Sequence, residues 1–246
     1  AYAQEFIDIQ RNEFKRLGVL GDWENPYLTM EYKYEADILR ELGKFFATGA
    51  VYRGLKPVHW CTSCLTALAE AEVEYFDHTS PSVYVEFPLT SDPATLDPGL
   101  RGAQVSVIIW TTTPWTLPAN LAIVVHPTEE YAVFRSDGRY FLTAEKLLGE
   151  TARKCGLTAP EILFRTPGER LQDLTARHPW LDRAAPIFTA QYVTMDQGTG
   201  CVHTAPGHGQ EDFQTGQEFK LPVLSPVDEG GAFTDDVPLW KGMNVH

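Results

Sequence analysis

After Asp77 the chain stops repeating at helical spacing and breaks into short β-rich runs separated by turn residues. These runs are Val83–Phe87, Val105–Trp110, Leu121–Val125, Tyr131–Arg135 and Tyr140–Thr143, followed by Ile162–Arg165 and Ile187–Val193. Asp137-Gly138 between two of them is a hairpin signal, because a two-residue turn needs positive φ at its centre. One helix, Glu145 to Cys155, interrupts the series and stops at Gly156. Many short strands with few helices predict a closed or strongly bent antiparallel barrel.

Before Asp77 the pattern is helical. Residues 1–20 carry Phe6, Ile9, Phe14 and Leu17 on one side. A loop over Gly21-Asp22-Trp23-Glu24-Asn25-Pro26 precedes a second helix, with Thr29 as its N-cap, Tyr34, Ile38, Leu42 and Phe45 at helical spacing, and Gly49 as its stop. A strand-like run from Val51 to Trp60 then leads into Cys61-Thr62-Ser63-Cys64. The composition shift divides the chain into a flank with a Cys-x-x-Cys connector, residues 1–78, and a β-rich domain, residues 79–246. The opening Ala1-Tyr2-Ala3-Gln4-Glu5 has neither the basic segment nor the apolar core of a signal peptide, and reads as the middle of a helix in an excerpt of a longer chain.

Charge bounds the partners. The net charge of −13 argues against broad adhesion to a phosphate backbone, which needs clustered Lys and Arg. Any grip on nucleic acid would come mostly from other parts of a longer polypeptide. No apolar run is long enough to span a bilayer. Four cysteines, two of them close together, make no disulfide framework and suit a reducing, cytoplasmic setting.

Two segments carry chemistry. The first, Trp110-Thr111-Thr112-Thr113-Pro114-Trp115-Thr116-Leu117-Pro118-Ala119-Asn120, follows the apolar run Val105–Ile109. Pro114 removes a donor and biases Thr113 toward an extended conformation, so the strand should end there with three hydroxyls and free backbone N–H groups together. Taken alone, three threonines read as a strand end that satisfies its own backbone. The second segment runs from Gly198 to Phe213, with glycines around His203 and His208 that permit close approach of a ligand. A helix beginning near Gly209 or Gln210 puts Asp212 in its first turn, where the dipole helps keep the carboxylate ionised. A lone Asp there reads equally as a helix cap. His203, His208 and Asp212 are also metal-ligand types. No nucleophile elbow or phosphate-binding loop occurs, and alternation along a strand is expected to place Cys201 and His203 on opposite faces, which argues against a pair. Cys61-x-x-Cys64 has the spacing of half a zinc knuckle, a site that needs four ligands.

The threonine-rich peptide resembles, almost letter for letter, the editing peptide of bacterial-type isoleucyl-tRNA synthetases. Gly198 to Gly209 is similar to that family's second editing segment. Lys56-Pro57-Val58-His59-Trp60-Cys61 and Ala67-Leu68-Ala69-Glu70-Ala71-Glu72-Val73-Glu74-Tyr75 resemble its entry into the editing insertion, and Arg16 to Trp23 resembles a catalytic-domain segment. The resemblance implies an α+β protein: a β-barrel-like editing domain inserted in a Rossmann-type class I synthetase, with a short helical N-terminal flank. It implies hydrolysis of Val-tRNA(Ile), and of valyl-adenylate, with isoleucine excluded. On this reading Thr111, Thr112 and Thr113 hold the terminal adenosine, the ester and the water. Trp110 and Asn120 belong to the substrate pocket, His203 limits the room for the amino-acid side chain, and Asp212 binds the α-ammonium.

The resemblance also implies partners and cofactors. The tRNA(Ile) 3′ end carrying valine and the rest of the synthetase are the expected partners, and the protein is expected to be a monomer with no membrane association. Editing calls for no cofactor. Zinc, held in part by Cys61 and Cys64, and ATP with magnesium belong to the full-length enzyme, since the His-x-Gly-His and Lys-Met-Ser-Lys types of signature are absent here. Two rivals stay open: a metal-dependent hydrolase built on His203, His208 and Asp212, and a non-catalytic tRNA-contacting module.

Overall fold

A computed structural model describes residues 2–245, which divide into two compact units, one ending at Gly54 and the other beginning at Leu55. The first unit holds two helices, α1 (Tyr2–Arg16) and α2 (Tyr32–Ala47), neither of which buries a residue. The second helix starts two residues later than an N-cap at Thr29 implies. Its N-terminal flank is Glu31, which makes no side-chain cap bond.

The run from Val51 to Trp60, expected as a strand, is irregular apart from its last residue. Only Trp60–Cys61 (β1) pairs, with Thr66–Ala67 (β2), as a small antiparallel hairpin around the cysteines. In the β-rich region most expected runs are strands, but Ile187–Val193 is shifted to Ala184–Thr189, and Thr175–Arg177 and Cys201–Thr204 are strands that the pattern did not mark. The region comprises β3 (Val83–Pro88), β4 (Val105–Thr111), β5 (Ala122–Val125), β6 (Glu130–Ser136), β7 (Arg139–Ala144), α3 (Glu145–Cys155), β8 (Glu161–Pro167), β9 (Thr175–Arg177), β10 (Ala184–Thr189), β11 (Cys201–Thr204) and α4 (Gln210–Glu218). Asp137 and Gly138 both take positive φ, 51° and 77°, and turn β6 into β7 as the sequence indicates.

The strands form two open mixed sheets, ordered β3-β4-β7-β6-β8 and β11-β5-β10-β9, and the expected closed antiparallel barrel is not what the described residues build. Two pairs, β4 with β7 and β5 with β10, are parallel. The reason lies between β4 and β5. A 3-10 turn over Pro114–Ala119, with prolines at 114 and 118 that cannot donate, carries the chain into the second sheet instead of extending the first. The sheets meet where Leu89 bridges Ala176, and Val107 and Ile109 of β4 share one buried cluster with Ile123, Val125 and Ile187 of the second sheet. A second cluster, around Ile108, Phe134, Phe141 and Leu148, fills the space under α3. No described helix is long and apolar enough to cross a membrane.

Candidate active site

The 3-10 turn and β11 bring the two sequence segments together. β11 pairs antiparallel with β5, which sets His203 opposite Ile123, while Asn120 stands just before β5. The His203 ring is buried, with 7% exposure, and both of its nitrogens are engaged. Nε2 lies 2.9 Å from Thr116 Oγ1, and Nδ1 lies 3.3 Å from Asn120 Nδ2. Thr116 Oγ1 gives its proton to the Thr113 carbonyl at 2.8 Å, so it accepts from His203. Asn120 Nδ2 can only donate, so Nδ1 accepts. The two bonds agree on a neutral ring with its proton on Nε2. Burial, aided by the nearby His208 and His178, pushes the ring's pKa down to about 4.

The three threonines differ. Thr111 is buried at the end of β4, and its Oγ1 accepts from Thr113 N–H at 3.0 Å, so this residue does satisfy its own backbone. Thr112 is exposed and its side chain makes no hydrogen bond among the described residues. Thr113 holds Thr116 through its carbonyl, by the backbone N–H at 3.0 Å and by the hydroxyl. Asn120 is fully buried and donates to the Ala122 carbonyl at 2.8 Å, but its Oδ1 accepts nothing among the described residues. A buried acceptor without a donor costs about 1–3 kcal/mol, which a substrate donor or a water would relieve.

Asp212 reaches the same strand end. It lies in the first turn of α4, whose N-cap is Gly209, and its Oδ2 accepts from Ala205 N–H at 2.8 Å, two residues after His203. The carboxylate therefore ties α4 to the end of β11 and does not act as the N-cap. The helix dipole is not the dominant influence on its pKa. Burial raises its pKa, the Ala205 bond offsets this only in part, and the like charge of Glu211 adds to the rise. Among the described residues no basic side chain pairs with it. An incoming ammonium would supply the missing charge.

Other predicted residues make contacts of their own. Alternation along β4 turns Trp110 away from Thr111, and it packs against Gly198, where an added Cβ would lie 2.8 Å from the indole. His208 meets Trp115 edge to face at 5.2 Å. Cys201 and His203, two residues apart, share a face of β11 by the same alternation, so strand geometry does not separate them. Burial disarms Cys201 instead, by pushing its thiol pKa well up. Among the described residues no three His, Cys, Asp or Glu side chains gather closely enough to hold a metal ion, so His203, His208 and Asp212 do not form a ligand set. A cavity of about 490 Å³ beside α4, lined by Tyr192, Glu211, Gln214 and Thr215 among others, does not include Thr111 to Thr113 or His203.

The cysteine hairpin offers two sulfur donors of the kind that zinc takes. Cys64 N–H donates to Cys61 Sγ at 3.3 Å, and backbone bonds from Cys64 and Ser63 hold the Cys61 thiol below its ordinary pKa. The Cys61 partner raises that of Cys64. A turn that favours one thiolate fits two donors of a tetrahedral site, and the described residues supply only those two.

Thr116 lies within the threonine-rich peptide, and its place three residues after Thr113 in a Pro-started turn is the sequence signal for its role. His178 and Arg183, which grip the same turn, gave no signal, since more than 60 residues separate each from the carbonyls that it holds.

Comparison with known proteins follows the same outline. Residues 1–203 match the family model described as tRNA synthetases class I (I, L, M and V). The chain is 52% identical over 248 residues to an isoleucine–tRNA ligase of Nitratidesulfovibrio vulgaris, covering 99% of this chain and 26% of that protein. It is 50% identical over 244 residues to an isoleucine–tRNA ligase of Petrotoga mobilis, with the same shares. It thus spans about a quarter of the length of these curated relatives. The Plasmodium knowlesi cytosolic leucyl-tRNA synthetase editing domain aligns with a TM-score of 0.49 at 15% identity, over 56% of this chain and 62% of that one, a likeness too remote to bear on function.

Proposed function

Since the chain belongs to the class I tRNA synthetases of the isoleucine, leucine, methionine and valine group, we propose that it carries the hydrolytic editing site of an isoleucine–tRNA ligase, which removes valine from mischarged tRNA(Ile) and spares isoleucine. The observation that carries this reading is the His203 ring, neutral, buried and held at both nitrogens. A ring so fixed suits a wall and not a proton shuttle or a metal ligand, because neither nitrogen is free. Discrimination by a wall is what the problem calls for. The isoleucine–valine pair is itself the worked case of the limit, one methylene being worth only about 1–3 kcal/mol in an apolar pocket. A second site that admits only the smaller side chain removes the error that binding alone leaves.

On this reading Asp212 pairs with the α-ammonium of the ester, and the hydroxyls of Thr111 to Thr113 hold the terminal adenosine and the carbonyl. The ester is already activated. Water adds to the carbonyl carbon, and the tRNA hydroxyl leaves with a proton, so that valine and free tRNA are the products. Orientation and hydrogen bonds to the developing oxyanion supply the catalysis. Zinc, where the full enzyme carries it, would be held by Cys61 and Cys64 together with two donors from outside this chain. ATP and magnesium would serve aminoacylation elsewhere in the synthetase.

The test is deacylation of Val-tRNA(Ile) and Ile-tRNA(Ile) by the full synthetase, wild type and His203→Ala. The wild type should hydrolyse the valyl ester and spare the isoleucyl one. The variant should hydrolyse both, because removing the ring enlarges the pocket. Equal wild-type rates on the two esters would end the editing reading. A folded His203→Ala protein that still spares isoleucine would remove His203 from the wall.

A further inference from the structure

The hairpin of β9 and β10 ends in a tip running from His178 to Arg183, and this tip closes on itself. His178 N–H donates to the Arg183 carbonyl at 2.9 Å and Arg183 N–H to the Leu181 carbonyl at 2.8 Å. Trp180 and Leu181 N–H groups point at His178 Nδ1, at 3.4 and 3.2 Å. An accepting Nδ1 leaves the proton of the neutral ring on Nε2, which donates to the Leu117 carbonyl at 2.9 Å. Arg183 Nη1 donates to the carbonyls of Pro118 at 2.7 Å and Asn120 at 2.9 Å. Two side chains of one tip thus hold three carbonyls of the turn that carries Thr116 and Asn120, the two partners of His203.

We propose that His178 and Arg183 are positioning residues for the editing pocket: the tip fixes the turn over residues 117–120 and, through Thr116 and Asn120, sets where the His203 ring stands. The Leu117 carbonyl also accepts from Asn120 N–H at 2.9 Å, and Leu117 and Ala119 are buried, but the carbonyls of Pro118 and Asn120 are held by Arg183. Pro114 and Pro118 donate nothing, and a buried carbonyl left without a donor costs about 1–3 kcal/mol, so loss of the tip's donors would drive the turn toward water. The tip is itself built to keep one proton arrangement. His178 is 1% exposed, packed edge-on against Phe87 and Trp180, and both burial and the neighbouring guanidinium disfavour its protonation. A protonated ring would lose the two contacts at Nδ1 and with them the tip's shape.

The proposal rests on the editing reading for its activity readout and on the hydrogen bonds alone for its spectroscopic one. In the full synthetase, Arg183→Met should lower the ratio of valyl to isoleucyl deacylation by about tenfold, since a misplacement near 1 Å can cost up to about 100-fold in a fitted site. The rate on the valyl ester should change much less than the ratio. Arg183→Lys, which keeps a charged donor, should recover part of the lost selectivity. In isotope-edited NMR of labelled histidine, His203 should hold its Nε2 proton and stay neutral at pH 6 in the wild type, and should shift toward free-histidine behaviour in Arg183→Met. A folded Arg183→Met protein whose ratio and His203 signal both match the wild type would overturn the proposal. A wild type that fails to discriminate the esters would count against the editing reading, and the His203 signal would then decide on the tip alone.

Discussion

Asp212 does two jobs with one carboxylate. Its Oδ2 anchors the end of β11 through Ala205, and its charge, which burial disfavours, lacks a counterion among the described residues. Asp212→Asn separates the two, because the amide oxygen still accepts from Ala205 N–H while the charge is gone. A charge-assisted hydrogen bond is worth roughly 1.5–3 kcal/mol, so deacylation of the valyl ester should fall about tenfold to a hundredfold with little change in the unfolding midpoint. Unaltered deacylation would leave Asp212 a tie between elements and nothing more. At this scale the sequence was informative where residues cluster along the chain. Thr111 to Thr113, Asn120, His203 and Asp212 all sit in two short segments whose prolines and glycines mark them. It was silent on Arg183 and His178, whose roles depend on a contact between a hairpin tip and a turn far away in sequence.

Glycines decide how β11 meets the rest of the molecule. Gly198 and Gly200 take φ of 81° and 72°, and a Cβ on Gly200 would fall 2.4 Å from that of Ala144. Tyr131 fastens the same bend by donating to the Gly200 carbonyl at 2.6 Å. Gly200→Ala should therefore destabilise the protein by about 1–3 kcal/mol through overpacking, beyond the strain of a side chain at positive φ. Urea titration measures it, and a midpoint within error of wild type would mean that β11 can shift at no cost. Elements with local signals were legible: the Asp137-Gly138 hairpin, the end of β4 before Pro114, and α3 up to Gly156. Sheet membership was not. The run Val51 to Trp60 has the composition of a strand but pairs only at its end, and the parallel pairings of β4 with β7 and β5 with β10 join segments whose neighbours in sequence give no hint of them.

Three histidines of the second unit, His178, His203 and His208, all have pKa values lowered by burial. Because the unfolded chain takes up protons at about 6.5 and the folded rings resist, the stability they allow is fully present above that value and is lost as pH falls toward 4. At about 1.4 kcal/mol per pH unit, the His203 ring alone, at about 4 when folded, accounts for a loss on the order of 3 kcal/mol. Asp212 works in the opposite sense, since a raised carboxylate pKa lets the folded state take up its proton first. The unfolding midpoint should thus drop between pH 7 and pH 5, and a flat profile over that range would show that the rings are not held neutral.

The same depressed pKa leaves the His203 ring uncharged throughout the range in which a cell's acidity ordinarily moves. A wall made of a group that does not titrate keeps its size and its charge as growth conditions change. Under the editing reading, the boundary between the side chains that enter and those that do not is kept in place through swings in pH by a single proton on Nε2.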